Sequence, residues 1–131
     1  MNGQAIARTA LLCNASFSAL CGLAFAFDGG AIAAKLLVTA PTEAALSLRI
    51  LGVGLIGFAA FVAFAALRRG FSARRVMTFT VMDIAWVLAT LLTLGLAPAV
   101  FTAEGVAAVA LVGLAVGLFA TGQGFGASRM S

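Results

Sequence analysis

The chain is 131 residues long, 63% apolar and only 9% charged, against roughly a quarter charged in a soluble globular domain. A water-soluble fold of this size is excluded, because most residues of a small domain touch solvent and so much apolar surface could not be hidden. The net charge of +4 does not point to nucleic acid: Arg68, Arg69, Arg74 and Arg75 crowd one short gap between apolar runs, which is the pattern of a membrane-topology determinant. One integral membrane domain over residues 1–131 is expected.

The first apolar run, residues 9–27, carries no charge and matches the roughly 20 helical residues that a bilayer core requires. A cleaved signal peptide is the alternative, with Arg8 as its basic flank and Ala24-Phe25-Ala26 as its cleavage site. The run is longer than a usual signal core and contains Asn14, Ser16 and Ser18, so retention is preferred. Cys13 and Cys21 lie about 12 Å apart along this helix, beyond the roughly 7 Å that a disulfide spans. Asp28-Gly29-Gly30 is expected to end the helix. Residues 31–39 then read as a short interfacial segment, with Ile32, Leu36 and Leu37 around Lys35.

Pro41-Thr42-Glu43 restarts the chain, with Thr42 as N-cap and Glu43 facing the positive helix end. The second helix is expected at 44–67 and contains Arg49. The third, at 76–96, contains Asp83, and Pro98 with Thr102-Ala103-Glu104 introduces the fourth at 104–121. The glycine-rich stretch from Gly122 to Gly126 reads as a loosely ordered tail. Short connections imply antiparallel neighbours. The positive-inside rule leaves the arginine hairpin and both termini in the cytoplasm, with Asp28, Glu43 and Glu104 outside. The expected fold is therefore an all-α, antiparallel four-helix transmembrane bundle, N-in and C-in.

Charges within a bilayer cost roughly 2.5–3.5 kcal/mol each and commonly mark function, which singles out Arg49 and Asp83. Arg49 lies about 9 Å below the outer boundary and Asp83 about 10 Å above the inner one, so they stand at different levels. Asn14 matches the depth of Asp83. An Asn14–Asp83 hydrogen bond is therefore expected, with Arg49 turned toward Glu43, Glu104 or Asp28. Asn14, Ser18, Cys21 and Gly22 share one face of the first helix, and Asp83, Trp86, Thr90 and Thr93 share one face of the third. Asn14, Arg49, Asp83, Trp86 and Thr90 thus form the candidate intramembrane site. Inter-helix glue is preferred over a proton or solute path, because histidine is absent and no second carboxylate stands at that depth.

Gly52-x-Gly54-x-x-Gly57 spells a dinucleotide fingerprint, but it falls within an apolar helix instead of between a strand and a helix start. Gly113-x-x-x-Gly117 is a small-residue arrangement that suits helix packing within the chain as well as dimerisation. No nucleophile meets a base and no metal-ligand spacing occurs, so neither catalysis nor a cofactor or metal is expected. Leu48-Arg49-Ile50-Leu51-Gly52-Val53-Gly54 and Asp83-Ile84-Ala85-Trp86-Val87, together with Asn14, resemble the pattern of small bacterial four-helix inner-membrane proteins of unknown function. That resemblance implies an architecture and no activity.

The reading that follows is a non-catalytic multi-pass protein of the bacterial plasma membrane, structural or accessory to a larger complex. Its partners would be the lipid bilayer and other membrane subunits or itself, with no nucleic acid. The alternative is a small homo-oligomeric transporter or channel using Arg49 and Asp83, and a third reading is a membrane enzyme acting on lipid.

Overall fold

The computed structural model describes residues 2–130, which form an all-α bundle. Its helices are α1 (Gly3–Leu36), α2 (Thr42–Leu67), α3 (Ala73–Leu96) and α4 (Ala103–Ser128). All four are long and apolar enough to cross a membrane. A 3-10 turn at Pro98–Val100 separates α3 from α4.

Helix α1 begins at Gly3 and not at residue 9, and it takes in most of the expected interfacial segment; the expected boundaries change in four further places. Asp28-Gly29-Gly30 kinks α1 instead of ending it: Asp28 leaves helical geometry at φ −116°, ψ 22°, and the helix resumes to Leu36. Gly29 serves packing, since an added Cβ would lie 2.8 Å from Arg49 Cγ and 3.0 Å from the Ala45 carbonyl. The N-cap of α2 is Pro41, and Thr42 is already helical with no capping side chain. Helix α3 begins earlier than expected, capped by Ser72, so Arg74 and Arg75 occupy its first turn.

The fourth change is the tail, which is helical to Ser128. Its glycines are contact points. A Cβ on Gly126 would fall 2.5 Å from the Ala7 backbone nitrogen, so only glycine permits the end of α4 to lie so close to the start of α1.

Helix α1 is central, packing along both α2 and α4, while α3 packs on α4 and is not a backbone neighbour of α2. Gly22 meets Gly52, Gly29 meets Ala45, Gly126 meets Ala7 and Gly113 meets Thr90. Small side chains at these crossings let helix backbones approach closely.

The two ends of the bundle differ. One end holds a tight apolar core of Ala7, Leu11, Val62, Ala66, Val76 and Phe79. There the Phe79 ring stands edge-on to Phe58 at 6.2 Å and to Phe61 at 5.4 Å, bridging α2 to α3. Around this end Arg8 donates to the Ala66 carbonyl at 3.0 Å and stands over the Phe71 ring. Arg68 and Arg129 stand over Phe64 and Phe125. The opposite end is held by main chain: Val38 N donates to Val100 O at 3.0 Å, and Thr102 N to Leu36 O at 2.9 Å. Thr102 also caps α4 and donates its hydroxyl to the Lys35 carbonyl at 2.6 Å.

Candidate functional site

Asp83 is the centre of the interior, buried at 4% exposure on the face of α3 that looks toward α1 and α4. Two amides converge on the same carboxyl oxygen. Asn14 Nδ2 donates to Asp83 Oδ2 at 2.7 Å, and Gln123 Nε2 donates to Oδ2 at 2.8 Å. Hydroxyls approach both amide oxygens: Ser18 Oγ donates to Asn14 Oδ1 at 3.1 Å, and Thr80 Oγ1 lies 3.3 Å from Gln123 Oε1, its one hydrogen shared between two acceptors. Thr80 also reaches the Val76 carbonyl at 3.1 Å. Because each amide oxygen accepts, each amide NH2 must turn its hydrogens to the carboxyl. One network thus joins three helices, as polar groups buried away from water require.

The Asn14–Asp83 contact expected from matching depths is present. Gln123 and Thr80 complete it and were not anticipated. Arg49 takes no part. It is exposed, with its stem on Gly29, 15 positions along α1 from Asn14, which is roughly 22 Å of helix. Among the described residues it forms no ion pair with Glu43, Glu104 or Asp28, its expected partners, which are themselves exposed. Arg68, Arg69, Arg74 and Arg75 are all exposed, clustered at the end that also carries Arg8 and Arg129.

Trp86 and Thr90 continue the Asp83 face of α3. The Thr90 hydroxyl is spent on the Trp86 carbonyl at 3.0 Å, and its methyl rests against Gly113; Gly117 lies against Val87. The Gly113/Gly117 pair therefore has an occupant within the chain. Trp86 differs, since its buried Nε1 has no hydrogen-bond partner.

A cavity of about 610 Å³ extends from Asp83 along the bundle, and both Trp86 and Thr90 line it. Its walls are Phe17 and Phe25 of α1, Leu51 and Leu55 of α2, and Val109 and Val112 of α4. Gly52 of the glycine motif lies mid-helix in α2, packed against α1, so those glycines face no phosphate site. Among the described residues, no group of three His, Cys, Asp or Glu side chains gathers where it could hold a metal ion.

The apolar helices and internal polar network fit a multi-pass membrane protein. Comparison with protein-family models, curated proteins and solved structures yields no match.

Proposed function

We propose that the chain is a multi-pass protein of the bacterial plasma membrane, threaded antiparallel with both termini in the cytoplasm, that acts without covalent catalysis as a structural or accessory subunit. The observation that carries this reading is the Ser18–Asn14–Asp83–Gln123–Thr80 network. Its hydrogen bonds hold α1, α3 and α4 together, and a membrane interior rewards such inter-helix bonds. Large apolar side chains face outward on every helix, among them Leu20, Phe61, Leu91 and Leu118. The arginine-rich end agrees with the positive-inside rule. In this reading the outward faces meet lipid and neighbouring subunits.

The test has two parts. The protein should stay in the pellet after carbonate washing, and alkaline phosphatase fused at Gly70 should be inactive while a fluorescent protein fused there should fluoresce. Pull-down in mild detergent should then recover a stoichiometric membrane partner. Phosphatase activity at Gly70 would overturn the threading. A pure homo-oligomer whose solute flux falls with both Arg49→Ala and Asp83→Asn would replace the accessory role with transport.

A further inference from the structure

The network leaves two features of the interior unexplained, and they lie one helical turn apart. Both amide donors bind Oδ2 of Asp83, so Oδ1 has no protein partner. Trp86 Nε1 is the one side-chain nitrogen or oxygen among the described residues that is sealed off without a hydrogen bond; Oδ1, equally without a partner, therefore keeps open surface. Asp83 and Trp86 are three residues apart and share a helix face, and both line the 610 Å³ cavity. That volume lies within the range of about 300–1,000 Å³ common to small-molecule sites, which pair apolar walls with a few convergent polar groups.

The cavity reaches the outer surface of the bundle where its lining residues are exposed. Toward the arginine-rich end it reaches Phe58, against which the Phe79 ring stands. Toward the other end it stops at Leu36, Leu37 and Phe101, beside the main-chain tie. Ala24 of α1, Gly54 of α2 and Met82 of α3 line it and are also exposed; Gly54 and Met82 mark a mouth between α2 and α3, whose backbones pack chiefly on other helices. If the helices cross a bilayer, as proposed above, that mouth faces acyl chains.

We propose that this cavity binds a neutral lipid alcohol entering between α2 and α3, its hydroxyl donating to Asp83 Oδ1 and accepting from Trp86 Nε1–H once the indole turns toward the cavity. A hydroxyl does both tasks with one oxygen, whereas a hydrocarbon does neither. A cation is disfavoured, because two amide N–H groups already turn their positive ends toward the carboxyl. A buried indole N–H without a partner is costly, and the guest's oxygen supplies the partner it lacks. The inference rests on the membrane reading.

Trp86 is the only tryptophan and tyrosine is absent, so intrinsic fluorescence reports this site alone. The protein is reconstituted in phosphatidylcholine vesicles, floated on a density gradient and titrated with farnesol, with the hydrocarbon farnesene and the cation tetraphenylphosphonium as controls. Farnesol should shift the emission saturably, and neither control should do so at equal membrane concentration. Gly54→Leu fills the mouth: a Cβ there meets nothing within 4 Å, so the fold tolerates the change while farnesol affinity falls at least tenfold. Trp86→Phe, followed with radiolabelled farnesol, should weaken binding several-fold by removing one donor. Equal shifts with farnesene, tighter saturation by tetraphenylphosphonium, or unchanged affinity in a thermally stable Gly54→Leu protein would each overturn the site. Protein that fails to float refutes the membrane reading and the site together; protein that floats but shows no saturable shift refutes the site alone.

Discussion

Replacing Asp83 with two different residues separates its geometry from its charge. Both amide donors meet Oδ2, so a single carbonyl-type oxygen at that position satisfies them. Asp83→Asn supplies one, with its own NH2 taking the place of Oδ1 beside the cavity, and should cost less than about 1 kcal/mol, within the range of a near-isosteric exchange. Asp83→Leu supplies none and strands two buried N–H groups. At about 1–3 kcal/mol for each unsatisfied donor in a soluble protein, the loss could reach about 6 kcal/mol. Inter-helix hydrogen bonds measured within membranes average only about 0.6 and reach about 1.7 kcal/mol each. With the helices in a bilayer, as proposed, the membrane figure governs, because the unfolded helices also find polar partners there. The expected cost is therefore about 1–3 kcal/mol for Asp83→Leu. Reversible unfolding in mixed micelles, read by Trp86 fluorescence, measures both variants against the parent. Equal destabilisation by Asn and Leu would refute the reasoning, since it would mean that the charge or the second oxygen holds the cluster.

Three further outcomes follow from the packing. Gly52→Ala should destabilise by about 1–3 kcal/mol, because its Cβ would fall 2.5 Å from the Ala26 nitrogen and 2.6 Å from the Gly22 oxygen. Gly57→Ala, with open space around it, should be neutral or gain up to about 1 kcal/mol from helix propensity; thermal unfolding in detergent distinguishes the pair. Arg49→Ala should change stability by less than about 0.5 kcal/mol in the same assay, as surface substitutions commonly do. A loss above about 2 kcal/mol there would reveal a buried ion pair.

The centre of the site was half legible in the amino-acid pattern. Asn14 and Asp83 could be paired because both positions count to a similar depth from one boundary, and depth is nearly all that a membrane helix reveals by itself. Gln123 was hidden by its neighbours. Glycines at 122, 124 and 126 read as a loose tail by composition, yet Val116, Ala120, Gln123 and Ala127 keep the helical spacing of one buried face. Periodicity was the better guide there, because glycine in a membrane helix marks close contact at least as often as disorder. The surroundings of Arg49 do not follow from its depth along α2 alone. The Asp28-Gly29-Gly30 break was read as a terminus, whereas it is a kink against which the arginine stem lies. The cavity has no sequence signature, since all four helices contribute to its walls, a property of the assembled bundle.

The main-chain tie between the two connections bears on how the protein can be altered. Val38, Val100, Leu36 and Thr102 join through backbone atoms, so amino-acid exchange at those positions leaves the tie possible, but adding or deleting a residue in either connection slips its register. Epitope tags and labelling loops therefore belong at the far pole, beside Gly70, whose φ of +72° and empty surroundings mark a turn with room to grow.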